Sequence, residues 1–102
     1  MQPDILKVQV ITVEWCIANF DSGNHAYELC RILERKGYVF EVVSTPCHIA
    51  RDGCGYSMRL PLSHAHLLIE EGLAHGIPVR EIYRIVSGYT RRRYEKIYQN
   101  YK

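Results

Sequence analysis

Two thiols share one short stretch, STPCHIARDGCGYSMRL (44–60): Cys47 after Pro46, and Cys54 between Gly53 and Gly55. Such a pair suits a covalent carrier site, a redox couple, a metal site, or plain packing with sulfur as a small apolar atom. A carrier or redox cysteine must be reachable, must ionise near neutral pH and must stand on a rigid frame. A loop between two strands of one sheet meets the first and third conditions. A free thiol titrates near ~8.5, and cations or backbone N–H groups lower that value. His48, Arg51 and Arg59 are close in sequence, and flanking glycines let backbone N–H groups approach the sulfur. The same residues also fit a simpler arrangement, in which Gly53 and Gly55 shape a turn and Cys54 begins a strand as a buried thiol. Both readings stand at this level. Cys47 is either a resolving thiol for an oxidised or persulfidated Cys54 or only its neighbour. Cys30, on an apolar helical stripe, and Cys16, within a strand, read as structural.

Other chemistries have less to stand on. Cys47, His48 and Cys54 with a histidine of the second helix would offer zinc thiolate and imidazole ligands. The spacing contains no paired C-x-x-C, however, and His64 and His66, two apart on a helix, face different ways. No metal or other cofactor is expected, although a two-thiol loop suits soft ions. Arg91, Arg92 and Arg93 beside Tyr89 and Tyr94 have the residue types that touch phosphates and stack on bases. They also read as a solvated helix start. Paired catalytic carboxylates, a nucleophile-elbow serine and a phosphate-cradling glycine motif are all missing from the sequence. That pattern points away from a self-sufficient hydrolase or nucleotide enzyme.

The bulk numbers bound the rest. With 102 residues, 47% of them hydrophobic and 24% charged, the chain is expected to be one soluble domain closing a modest core. A net charge of +2 is too small to draw nucleic acid or an acidic membrane by bulk attraction. The start, Met1-Gln2-Pro3-Asp4, lacks the basic region of a signal peptide. Gln9, Glu14 and Asn19 interrupt the apolar stretch 8–20. A cytoplasmic location with reduced thiols is the expectation.

The elements follow from periodicity. Residues 8–20 read as a strand, with a turn at DSGN offering Asp21, Ser22 or Asn24 as a helix cap. Ala26, Leu29, Cys30 and Leu33 form one helical stripe, ended by Gly37. Residues 38–44 form a second strand, stopped by Pro46, and the alternation of Tyr56, Met58 and Leu60 marks a third. Pro61 and Ser63 open a second helix with Ala65, Leu68, Ile69 and Gly72 on one face; Gly76 and Pro78 close it. Residues 79–86 fit helix or strand, and sheet closure selects the strand. The order βαββαβ predicts an α+β, ferredoxin-like sandwich over 1–88: four antiparallel strands with two helices on one face. The other face then needs the C-terminal segment or a second copy, which makes a homodimer an expectation. Tyr94, Ile97, Tyr98 and Tyr101 at three- and four-residue spacings predict a helical tail over 89–102.

At VVSTPCHIARDGCGYSMRL the sequence resembles a small bacterial family described as putative selenium/sulfur carrier protein-like. Its marks are Thr45-Pro46 after the second strand, Ile49 shortly after, and Cys54-Gly55 opening the third strand. Upstream, ANFDSGNHAYELCRIL is similar to the family's strand end, turn and first helix through Phe20, Ser22 and Ala26. The likeness covers residues 11–86. It implies an α+β domain that holds sulfur or selenium on Cys54 as a persulfide or selenosulfide, passed between donor and acceptor proteins, with no turnover of its own. Under that reading Arg51 and Arg59 stabilise the anion, Gly53 and Gly55 give access, and Cys47 resolves it. A non-catalytic interaction module, or a redox or metal domain built on Cys47 and Cys54, is the alternative.

Overall fold

The computed structural model describes residues 13–50, 55–87 and 92–100. Strand β1 (Trp15–Asn19) buries Cys16, Ile17 and Ala18 in succession. Helix α1 (Gly23–Arg35) starts where the Ser22 side chain accepts from the His25 N–H, and it buries Ala26, Leu29 and Leu33. That spacing gives the helix its single inward face. Gly37, at φ 95°, turns the chain out of α1 in a conformation costly for any residue with a Cβ. Strand β2 (Glu41–Ser44) follows, then β3 (Tyr56–Pro61) after the cysteine loop. A short 3-10 turn over Leu62–His64 leads into α2 (Ala65–Ala74). Gly72 lies where a Cβ would stand 2.5 Å from the Ile77 carbonyl oxygen, so the return chain runs tightly against α2. Strand β4 (Glu81–Ser87) then crosses the sheet, which resolves the ambiguous stretch as extended.

The strands form one sheet in the order β2-β3-β1-β4-β5, where β5 is Arg92–Gln99, and every neighbouring pair is antiparallel. Registers set Cys16 against Leu60, and Ala18 against both Met58 and Ile82. These side chains form a single cluster with Leu29 and Leu33 of α1 and Leu68 of α2. Both helices therefore cover one face. Burying each such leucine is worth roughly 1.5–3 kcal/mol. Among the described residues no helix is long and apolar enough to cross a membrane.

Two expectations are corrected. The sheet has five strands, not four, and the expected helical tail is β5, paired with β4 from Glu81↔Gln99 to Ser87↔Arg92. The physical reason is a register shift. Ile82 pairs with Tyr98 while Tyr83 pairs with Lys96, so β5 carries an extra residue at Ile97. The bulge turns Tyr98 toward the helix-side core and leaves Tyr94 on the opposite face beside His48. Aromatic residues four apart thus imitate a helical stripe while serving two faces of a strand. The first part of the predicted strand 8–20, and Tyr101, lie outside the described residues.

Candidate functional site

The cysteine loop leaves β2 and returns at β3, and its base is closed by the Thr45 N–H donating to the Gly55 carbonyl at 2.8 Å. The Pro46 carbonyl accepts from both Ile49 and Ala50 N–H groups at 3.0 Å, so the first half of the loop is a compact turn. Ile49 points inward and is buried, whereas Cys47 and His48 are exposed. The His48 ring stands 6.4 Å from that of Tyr94, so the turn leans across the face away from the helices. Arg51, Gly53 and Cys54 lie outside the described residues. A Cβ on Gly55 would meet only Thr45 Oγ1, at an ordinary 3.7 Å. Packing does not demand glycine there.

Beyond the loop, Tyr56 packs edge-on against Tyr27 of α1, with ring centroids 5.5 Å apart. A Cβ on Gly23 would come within 2.9 Å of the Tyr56 ring, so the first turn of α1 sits directly on the start of β3. The N-terminal end of a helix carries positive partial charge. That end faces the start of β3 at Tyr56.

The three described cysteines divide sharply. Cys16 has no exposed surface, and burial pushes its thiol up to about 12. Cys30 is half-buried and donates to the Phe40 carbonyl at 3.4 Å. Burial, reinforced by the Glu34 charge, raises its thiol above the ordinary value despite that hydrogen bond. Both therefore sit as the structural thiols expected of them. Cys47 alone among the described cysteines is exposed.

Arg59 projects from β3 on the face away from the helices. Its guanidinium lies 4.0 Å over the Trp15 ring and 3.3 Å from the Glu41 carboxylate. The histidines are dispersed. His64 packs against Tyr38 and Phe40 on the helix side, whereas His48 meets Tyr94 on the other. His66 pairs with Glu70 on the exposed side of α2. The second-helix histidines are thus not brought to Cys47 and His48. Among the described residues no group of three metal-ligating side chains occurs.

What the sequence did not reveal is a string of polar side chains across the second face, one from each strand or its end. Thr45 Oγ1 lies 2.7 Å from Ser57 Oγ, and Ser57 Oγ donates to Asn19 Oδ1 at 2.5 Å. Asn19 Nδ2 donates to Glu81 Oε1 at 3.4 Å, and Lys96 Nζ stands 3.3 Å from Glu81 Oε2. Ser57 is fully buried and Glu81 nearly so. In sequence Ser57 reads as the outward partner of Met58. Only the strand pairing Val43↔Ser57 and Asn19↔Glu81 brings these residues together.

Searches of the curated proteins and of the solved structures found no significant match. A family model described as "Putative Se/S carrier protein-like" matches residues 15–84, from the start of β1 into β4 and across the whole cysteine loop. With more than half of its length so matched, the chain belongs to that family.

Proposed function

We propose that the protein carries sulfur or selenium transiently on the cysteine loop, with Cys54 as the carrier thiol and a ferredoxin-like β1–β4 core as its frame. The observation that supports this most directly is the segregation of thiols. Cys16 and Cys30 are enclosed or held protonated, while the loop exposes Cys47 and is pinned at its base by Thr45 and Gly55. A thiolate is needed for attack, and burial opposes it at the first two positions. The positive end of α1, seated on Tyr56, favours an anion on the neighbouring loop. The description of the family supports sulfur or selenium as the cargo class.

In the transfer step the Cys54 thiolate attacks the terminal sulfur of a donor persulfide. The donor S–S bond breaks, its thiolate leaves, and a new S–S bond forms on Cys54 with no net oxidation. A donor selenosulfide delivers selenium by the same displacement. An acceptor thiolate then takes the terminal atom in the reverse sense. Pro46 shapes the approach, Gly53 and Gly55 leave it open, and Arg51 contributes positive charge. Arg59, held over Trp15 and beside Glu41 toward the end of β3 away from the loop, adds only long-range positive charge. When no acceptor is present, the Cys47 thiolate attacks the Cys54 sulfur of the loaded site, which forms a Cys47–Cys54 disulfide and expels the terminal atom as hydrosulfide or hydroselenide. The partners are donor and acceptor proteins in the cytoplasm, and turnover by this chain alone is not required.

The test is mass spectrometry of the intact protein after incubation with a cysteine desulfurase and cysteine, or a selenocysteine lyase and selenocysteine. A gain of one sulfur or selenium is expected in the wild type and in Cys47→Ser, and none in Cys54→Ser. An adduct that survives Cys54→Ser removes this assignment.

A further inference from the structure

We propose that the outer face of α1 is a self-complementary dimer surface. On it a second copy of this chain packs its own α1 antiparallel, so that Glu28 of each copy meets the partner's Arg31. The inference goes beyond the carrier reading and does not rest on it.

Unpaired charge sets this face apart. Among the described residues every carboxylate lies in an ion pair with a basic side chain except Glu28 and Glu34, both on α1. Glu34 lies toward the Cys30 thiol, whose value its charge raises. Glu28, Arg31 and Arg35 are exposed and have no ion-pair partner among the described residues. Glu28 and Arg31 are near neighbours on the helix, three residues apart, yet they do not pair with each other. With Asn24, Tyr27 and Ile32 these three side chains line one shallow groove along the helix.

The groove residues are spaced symmetrically. Asn24 and Arg35, Tyr27 and Ile32, and Glu28 and Arg31 each fall evenly about a midpoint between Leu29 and Cys30. In an antiparallel pair with a two-fold axis at that midpoint, each of these residues stands level with its counterpart on the other helix. At roughly 100° per residue, Asn24, Glu28, Arg31 and Arg35 form the line that faces the partner, and Tyr27 and Ile32 border it on opposite sides. Two acid–base contacts then form at the centre, with Asn24 level with the partner's Arg35 at either end. A parallel pair would set Glu28 against Glu28 and Arg31 against Arg31, and would repel. The charge order is thus its own complement on reversal, which selects a second copy as the occupant. The sheet face expected to receive that copy is instead crossed by the Cys47 turn, and Ile17, Ser57 and Glu81 are buried within one chain there. Because α1 covers the opposite face, pairing through it leaves Cys47 open on both copies.

One helix face offers less than the roughly 1,200–2,000 Å² of a standard interface, so the dimer is expected to be weak and sensitive to salt. The experiment is sedimentation equilibrium of the full-length chain over a concentration series, at low and at high salt. The wild type is expected to dimerise at low salt and to dissociate as salt is raised. Glu28→Arg and Arg31→Glu are each expected to weaken dimerisation by roughly tenfold, since each turns two attractive contacts into repulsive ones. The double variant Glu28→Arg/Arg31→Glu is expected to regain it. An equimolar mixture of the two single variants is expected to form a heterodimer, because each supplies the charge that the other lacks. Both positions are exposed, so neither change touches the core. A wild type that stays monomeric overturns the proposal, as does dimerisation that the single variants leave unchanged. A mixture or a double variant that stays monomeric overturns it too. The measurement needs neither cargo nor Cys54, so its failure is distinct from failure of the transfer assay.

Discussion

On the helix-covered face of the sheet, Cys16, Leu60, Met58 and Ile82 meet Leu29, Leu33 and Leu68 in a cluster that contains no hydrogen-bonding side chain stronger than a thiol. On the other face the same strands present Ser57, Asn19, Glu81 and Lys96 as a hydrogen-bonded string, with Arg59 laid on Trp15. Ile17 is the deep apolar contribution on that side. The difference is one of purpose. Apolar contacts hold the domain together without choosing a direction, whereas the polar string costs desolvation and returns orientation. Substitutions on the first face should therefore cost more stability than those on the second.

The largest effect belongs to the helix side. Leu33 is fully buried and packs α1 onto the sheet, so Leu33→Ala should cost ~2–5 kcal/mol in urea unfolding. A loss well below that range would mean that α1 relaxes into the space, and the contrast between faces would weaken.

Next comes the alkaline limb. The Cys16 thiol stays protonated in the fold up to about 12 because burial opposes its charge. The unfolded thiol ionises from about 8.5. A raised folded value gives stability that is complete below the unfolded value and lost as pH climbs toward the folded one. The slope is roughly 1.4 kcal/mol per pH unit inside that window. Cys16→Ala should be less stable at neutral pH, yet its stability should fall less steeply above pH ~9. Parallel curves for the two proteins would show that Cys16 ionises freely in the fold.

How much of this contrast was legible beforehand depended on whether a signal was local. The α1 stripe of Ala26, Leu29, Cys30 and Leu33 and a cap among Asp21, Ser22 and Asn24 are set within one turn or two; the structure buries the stripe except for half-buried Cys30 and selects Ser22 as the cap. The strand at 81–87 follows from sheet closure, although its sequence also fits a helix. β5 was missed because Tyr94, Ile97, Tyr98 and Tyr101 recur at three- and four-residue spacings, while the bulge at Ile97 breaks the two-residue alternation and sends Tyr94 and Tyr98 to opposite faces. The cysteine loop was visible as a composition of thiols and glycines. Its neighbours Asn19, Ser57 and Glu81 were not, because each looks like an ordinary polar strand residue until pairing aligns three distant segments.

A smaller effect is expected from Arg59→Ala on the second face. The guanidinium stacks on Trp15 and reaches Glu41, but both partners remain partly in water. Cation–ring contacts at such sites are worth ~0.5–1 kcal/mol. Unfolding should shift by about that amount, and Trp15 fluorescence should change as its cover is removed. A loss as large as that of Leu33→Ala would overturn the division between faces, since it would make Arg59 part of the core.

The smallest effect lies at the corner that joins the faces, where Asp21 precedes α1 and Arg80 precedes β4. The Arg80 guanidinium donates to both Asp21 oxygens and, against some desolvation, holds the Asp21 carboxyl below its ordinary value. A depressed carboxyl gives stability that is present above its unfolded value, near ~3.9, and disappears as pH falls through the folded one. Asp21 is about half exposed, so solvent screening keeps the contribution small. Wild type and Arg80→Ala should differ slightly in denaturant midpoint at pH 6 and converge as pH falls through the folded value, once Asp21 is protonated in both. A gap that does not narrow as the solution is acidified would mean that Arg80 acts through the packing of its stem, which would move it from the polar face's economy of charge to the apolar face's economy of contact.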